Sequence, residues 1–210
     1  MTMTSPSIQV LLFDLGGVLV EFDGIAPLIA LAGNKLDREG ARRFWLMSPA
    51  VRKFETGRCD AEEFARDALA ELGVAMAPEV FLQQFVSWDH GPMEGALSLL
   101  DSLRSRFLLA CLSNNNVLHW NRLLEETNLP EKFHRCYLSQ EIGVMKPEPE
   151  SFQHVLRDLG TPPGSVLFLD DNPECVEAAQ RLDIVARRAR GVAEVRAAMA
   201  ELGLLQESAG

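Results

Sequence analysis

Four places in the chain carry side chains suited to chemistry: Asp14, the pair Ser113-Asn114, Lys146, and the pair Asp170-Asp171. Asp14 follows the apolar run Ile8 to Phe13 and precedes Leu15-Gly16-Gly17-Val18. A carboxylate there stands at a strand end, beside glycines that permit close backbone approach. The placement suits a nucleophile, and it suits an Asp that merely caps a turn. Ser113 and Asn114 end a second apolar run, offering a hydroxyl, a side-chain amide and backbone N–H groups at the start of a helix, where anions are favoured. Lys146, in Gly143-Val-Met-Lys-Pro147, contributes a compact positive charge, though an isolated lysine is ordinarily a surface charge. Asp170 and Asp171 are adjacent carboxylates after a third buried run, which is costly unless a cation or a shared proton offsets their repulsion.

The elements that must position these groups alternate. Ile8 to Phe13, Phe107 to Leu112 and Val166 to Leu169 are short, nearly continuous apolar runs, as expected for central strands of a parallel sheet covered on both faces. Helical patterns lie between or after them at Gly95 to Arg104, Val117 to Thr127 and Pro173 to Leu182, the last with Asn172 as N-cap and Pro173 at the first helical position. This alternation predicts an α/β fold, a doubly wound (Rossmann-like) parallel sheet whose ligands bind outside the carboxyl ends of the strands. From about 20 to 90 the alternation stops. That stretch reads as consecutive helices with no buried strand: Ser48-Pro49 opens one, Asp60 with Glu63 forms a capping-box-like start, and Gly73 closes a helix with the apolar face Phe64, Ala68, Leu69 and Leu72. The expected division is an α/β core of residues 1–19 and 91–210 with an inserted helical cap of residues 20–90.

The bulk properties narrow the partners. A chain of 210 residues is long enough to bury a substantial core, and 47% hydrophobic with 24% charged residues is an ordinary globular composition. A formal net charge of -10 disfavours nucleic acid and anionic lipid. Arg42, Arg43, Arg52, Lys53 and Arg58 cluster only loosely and read as a solvated helix face. The four cysteines are far apart with no C-x-x-C pair, which fits reduced thiols in the cytosol. No signal-like or membrane-length apolar segment stands out, so a cytoplasmic protein with no membrane contact, monomer or homodimer, is expected.

Taken together, Phe13-Asp14-Leu15-Gly16-Gly17-Val18, Leu112-Ser113-Asn114, Lys146-Pro147 and Phe168-Leu169-Asp170-Asp171-Asn172 resemble, in order and spacing, the four signature motifs of the haloacid dehalogenase (HAD) superfamily. The stretches Phe54-Glu55-Thr56-Gly57-Arg58 and Tyr137-Leu138-Ser139-Gln140-Glu141-Ile142-Gly143 look like the subgroup containing sugar-phosphate phosphatases. The resemblance implies a hydrolase of a small phosphorylated substrate, with Asp14 attacking phosphorus to form an aspartyl-phosphate. It implies Mg²⁺ held by Asp14, Asp171 and the main-chain carbonyl of Gly16, with Asp170 orienting a metal-bound water. Ser113, Asn114 and Lys146 would hold the phosphoryl oxygens.

One position departs from the pattern. Most phosphatases of that family carry a second Asp two residues after the nucleophile as general acid and base, and here Gly16 occupies the place. A positioned acid or base is worth about a hundred- to ten-thousand-fold in rate. So either turnover is slow, or the substrate has a good leaving group, or another group donates the proton: Asp23, a cap residue such as His90, or a metal-bound water. Asp23 reads equally as a helix N-cap or hinge residue. Two rival functions follow from the missing acid. A 2-haloacid dehalogenase-type enzyme needs no acid for a halide but has no need of the Asp170-Asp171 pair, and a non-catalytic sensor would keep the phosphate and metal site without turnover. Phe22, Trp45, Arg52 and Trp88 are candidates to line the cleft, though aromatics at helical spacing are more often cap core.

Overall fold

The computed structural model describes residues 7–33 and 35–205. Five strands form one parallel sheet: β1 (Val10–Phe13), β4 (Leu108–Ser113), β5 (Arg135–Leu138), β6 (Val166–Asp170) and β7 (Val185–Arg188). Their order is β5-β4-β1-β6-β7, so the strand carrying Asp14 is central. All pairings are parallel, and Phe13 lies level with Cys111 of β4 and Leu169 of β6. That register brings Asp14, Ser113 and Asp170 out together at the carboxyl edge of the sheet. The order of strand addition reverses between β1 and β6, and the crevice at such a switch point is where doubly wound sheets bind ligands.

Burial on both faces explains the continuous apolar runs of the three inner strands. Leu11 and Phe13 face one core layer, with Leu99, Leu100 and Val195 from α6 (Ala96–Leu103) and α11 (Gly191–Glu201). Val10 and Leu12 face the other, with Phe152, Val155, Cys175 and Val176 from α9 (Pro149–Leu159) and α10 (Pro173–Gln180). The three strands and three helices expected from the sequence appear with ends displaced by at most two residues. Asn172 caps α10 as expected, its side chain accepting a hydrogen bond from Glu174 N at 3.0 Å.

Between β1 and β4 the chain forms α1 (Ala26–Leu31), α2 (Arg38–Met47), α3 (Pro49–Glu55), α4 (Ala61–Leu72) and α5 (Pro78–Val86). These helices bury their own aromatic core, in which Phe54 and Phe64 stack at 4.4 Å and Phe81, Phe85 and Trp88 pack around them. Ser48 and Asp60 cap α3 and α4, and Gly73 ends α4 in a left-handed conformation. Only half of the capping box forms, because Glu63 turns its carboxylate to Lys53 at 2.9 Å.

The reading of residues 20–90 as an all-helical insertion is corrected at its two ends, where short and largely unburied strands lie. Val20–Phe22 (β2) and Asp89–Pro92 (β3) pair antiparallel, forming a two-stranded ribbon where the helical insertion joins the core. A three-residue strand opposite Asp-His-Gly-Pro is too short and too polar to show a period-2 signal. Strands β5 and β7 escaped for a similar reason: they are the sheet edges and carry Arg135, Arg187 and Arg188 on exposed positions. The loose basic cluster is no patch, since Arg52 pairs with Glu148 and Lys53 with Glu63 and Asp67. Among the described residues no helix is long and apolar enough to cross a membrane.

Candidate active site

The site is built on the carboxyl ends of β1, β4 and β6. Asp14 is fixed by its backbone N–H, which donates to Leu169 O at 2.9 Å across the β1–β6 junction. Lys146 comes from the loop before α9 and is buried at 5% exposure. Its ammonium contacts Asp14 Oδ1 at 2.8 Å and Asp170 Oδ2 at 2.6 Å. Asp170 is 1% exposed, and its other oxygen accepts from Asn172 N at 2.8 Å. Asp171 lies beside them, and Asp14, Asp170 and Asp171 offer oxygens all within 4.8 Å of one another.

The electrostatics are those of an acidic cluster in which three carboxylates surround one buried ammonium, with the exposed Arg190 and Arg188 acting on Asp171 from the outside. Burial pushes the Asp14 carboxyl up to about 7, opposed by Lys146 and reinforced by Asp170. Burial and then Asp170 push Asp171 up as well, against the pull of Arg190, Lys146 and Arg188. For Lys146 burial works against the charge, yet Asp14 and Asp170 outweigh it and hold the ammonium firmly protonated. A divalent cation fits a cluster of hard oxygen donors with excess negative charge. The loop beside it leaves no room for a side chain at Gly17, whose φ is +76° and where a Cβ would sit 2.7 Å from Asp171 Oδ2. Gly16 is not crowded in this way.

Ser113 is buried and turns its hydroxyl to no closer partner than Asn114 O, at 3.4 Å. The Asn114 side chain is committed elsewhere. Its Nδ2 donates to Lys146 O at 2.9 Å and its Oδ1 accepts from Lys146 N at 2.8 Å, a two-point clamp on the lysine backbone. Asn114 thus positions Lys146, and only its backbone N–H is left to offer an anion. Ser139 ties the same loop to the core through Asn115 N at 3.0 Å.

A cavity of about 290 Å³ opens between the sheet edge and the helical insertion, lined by Gly16, Ser113, Asn114 and Lys146 on one side and by Phe22, Trp45, Arg52 and Glu55 on the other. A second cavity, lined by Asp14, Asp170 and Asp171, shares Gly16, Asn114 and Lys146 with it. Of the cleft-lining candidates, Phe22, Trp45 and Arg52 are there, whereas Trp88 is buried in the aromatic core. Asp23 does not face the cavity: its Oδ1 accepts from Ile25 N and Ala26 N, both at 3.1 Å, at the entry to α1. His90 is exposed on β3 and lines no part of the cleft. Sequence reasoning passed over Glu55 as anything but part of a motif. Its signal was an acidic residue ending a helix, where the dipole disfavours a carboxylate.

The insertion is docked on the core by named contacts. Arg52 of α3 pairs with Glu148, Arg58 Nη2 approaches Gly143 O at 3.5 Å, and Arg122 Nη1 of α7 (Val117–Glu126) donates to Val86 O at 2.8 Å. His119, also on α7, meets Phe85 O through Nε2 at 2.9 Å, and burial pushes its imidazole down to about 4, so it is neutral. Gly57 has φ +68°, and a Cβ on it would lie 2.4 Å from Gln140 O, a backbone atom. Gly57→Ala is therefore expected to lower stability by about 1–3 kcal/mol through left-handed strain and that clash. Urea unfolding checks it, and an unchanged midpoint would show the docking to be looser than this contact implies.

The comparisons with known proteins agree with this geometry. A sequence model described as haloacid dehalogenase-like hydrolase matches residues 8–183. The chain is 26% identical over 188 residues to a D-ribitol-5-phosphate phosphatase of Bacteroides thetaiotaomicron, covering 83% of this chain and 88% of that protein. It is 26% identical over 217 aligned positions to a phosphatase of Mycobacterium tuberculosis, covering 97% and 99%. Among solved structures, a HAD family enzyme of Bacteroides thetaiotaomicron in complex with magnesium and inorganic phosphate superposes with a TM-score of 0.74 at 27% identity, covering 88% of this chain and 95% of that one. The L-2-haloacid dehalogenase of Xanthobacter autotrophicus shares the fold, with a TM-score of 0.62 at 22% identity, covering 87% and 77%. With a family match over most of its length and four motifs meeting at one sheet edge, the chain belongs to the haloacid dehalogenase-like hydrolases.

Proposed function

We propose that this protein is a Mg²⁺-dependent phosphatase of small phosphorylated metabolites, working through an aspartyl-phosphate on Asp14. The observation that carries the reading is the Lys146 ammonium held between Asp14 at 2.8 Å and Asp170 at 2.6 Å, with Asp171 in the same cluster. Three carboxylates against one ammonium suit a divalent cation plus a phosphoryl group, whose charges balance each other. The relatives point the same way, two being named phosphatases and one neighbour being a complex with magnesium and phosphate.

Asp14, Asp171 and the Gly16 carbonyl would hold Mg²⁺, which when bound neutralises charge on the phosphoryl oxygens and on the crowded carboxylates. Lys146 orients the Asp14 carboxylate and balances charge as it bonds to phosphorus. Ser113 Oγ and the Asn114 backbone N–H donate to phosphoryl oxygens. Asp170, with both oxygens engaged by Lys146 and Asn172 N, keeps the lysine in place. The helical insertion roofs the cleft and narrows it to small substrates.

The test is inorganic phosphate release from a panel of sugar and acyl phosphates with and without Mg²⁺. Release that requires Mg²⁺ and vanishes on adding EDTA is expected. Halide release from 2-haloacids without metal would replace the reading with dehalogenation, and ligand-induced stabilisation with no turnover would replace it with a sensor.

A further inference from the structure

We propose that Glu55, the last residue of α3, is the proton donor and acceptor that position 16 lacks, serving first the leaving oxygen of the substrate and then the attacking water. The inference deepens the phosphatase reading and rests on it.

Three observations carry it. Glu55 lines the same cavity as Gly16, Ser113 and Lys146, on the wall opposite the sheet. The space beside Gly16 is open, because a Cβ there would meet nothing nearer than Phe22 Cβ at 4.0 Å. And Glu55 makes no side-chain hydrogen bond or ion pair among the described residues, although the other charged and titratable groups of the cavity are engaged. Arg52 pairs with Glu148, Lys146 with Asp14 and Asp170, Asp89 accepts from Gly91 N, and His119 is bonded at both nitrogens. A carboxyl aimed into a cleft with no partner of its own is free to exchange a proton with a ligand.

Its position is held from both sides in sequence, by the Arg52–Glu148 pair three residues before and by the Gly57 and Arg58 contacts with the Gln140 and Gly143 carbonyls just after. Those contacts join the insertion to α8 (Ser139–Ile142) and to the start of α9, so the docking of the insertion holds Glu55 in place. Burial pushes its carboxyl up to about 7, with Lys146 pulling it down and Asp14 pushing it further up. Protonated and ionised forms then coexist near neutral pH, as a group that must give and retake a proton requires.

In the first step the bond between phosphorus and the leaving oxygen breaks as an Asp14 oxygen bonds to phosphorus. The Glu55 proton goes to the leaving oxygen, and an alcohol departs. In the second, the Glu55 carboxylate takes a proton from water as the water oxygen attacks phosphorus. Asp14 is released, inorganic phosphate forms and Glu55 is protonated again.

Because an acid matters most for a poor leaving group, the test compares alkyl phosphates with 4-nitrophenyl phosphate, using the Mg²⁺-loaded protein. Glu55→Gln is expected to lose about a hundredfold or more in kcat on alkyl phosphates and less than about tenfold on the aryl ester. Adding Gly16→Asp to Glu55→Gln should return about tenfold or more of the alkyl activity. Equal losses on both ester classes, or a rise in KM with kcat intact, would overturn the assignment and leave the phosphatase reading standing. A second measurement needs no variant: across a series of esters, wild-type turnover should depend only weakly on leaving-group pKa, and a steep fall toward alkyl esters would show that no acid is in place. Phosphate release from none of these esters would overturn both proposals together.

Discussion

Asp14→Asn is expected to lower kcat/KM for any phosphate ester by on the order of 10⁴- to 10⁶-fold, the range seen when a nucleophile acting as part of a unit is removed. The amide keeps the shape of the carboxylate, but it cannot form the acyl-phosphate and is a poor ligand for a hard divalent cation. The residue is 8% exposed at the end of a central strand, so shape retention matters for folding. Far-UV circular dichroism and the urea midpoint of the variant separate loss of the nucleophile from loss of the fold. Residual turnover within tenfold of wild type would mean that Asp14 is not the attacking group.

Lys146→Met carries the second large effect, and it acts on stability as well as rate. Removing one partner of a buried ion pair leaves an uncompensated charge and costs about 3–5 kcal/mol. Here the loss exposes Asp14 and Asp170 to each other without the ammonium between them. Part of the cost should be recovered at millimolar Mg²⁺, because a cation bound only by the folded state stabilises it by mass action. Urea unfolding with EDTA and with Mg²⁺ measures both quantities. A variant as stable as wild type in EDTA would show that one of the carboxyls takes up a proton and dissolves the predicted repulsion. Activity is expected to be lost in either medium, since no other buried cation faces Asp14 among the described residues.

Of the two positions, Asp14 is legible in the one-dimensional chain for a physical reason, whereas Lys146 lies in a loop that carries no such mark. Central parallel strands are buried on both faces and read as unbroken apolar runs, so their ends are marked wherever a run stops at a polar residue. Asp14, Ser113 and Asp170 are such stops. Asn172-Pro173 announces its helix because an N-cap side chain and a proline with fixed φ satisfy the helix start locally. The edge strands β5 and β7 carry no comparable mark, since an exposed strand with arginines satisfies its packing on one side only. The β2–β3 ribbon is harder still, its two short strands lying more than sixty residues apart in the chain.

The same distinction separates the groups within the cleft. Asn114 offers both a side-chain amide and a backbone N–H in the sequence, and the fold uses the side chain to clamp Lys146, thirty-two residues away. Asp23 and His90 were near the right place in the chain and face the wrong way. Glu55 lies forty-one positions from Asp14 and reaches the cavity lined by Gly16, Ser113 and Lys146 because the insertion folds back on the sheet edge.

Local chemistry therefore determined, from the amino-acid order alone, which strands are central, where each one ends, and which polar groups stand at those ends; these are short-range consequences of burial and capping. Only tertiary packing decided which of those groups share a charge, which are consumed in holding another residue, and which cap side chain enters the cleft. Long-range docking of five helices on a sheet edge depends on the summed contacts of Arg52, Gly57, Arg58 and Arg122, none of which leaves a periodic trace in the chain.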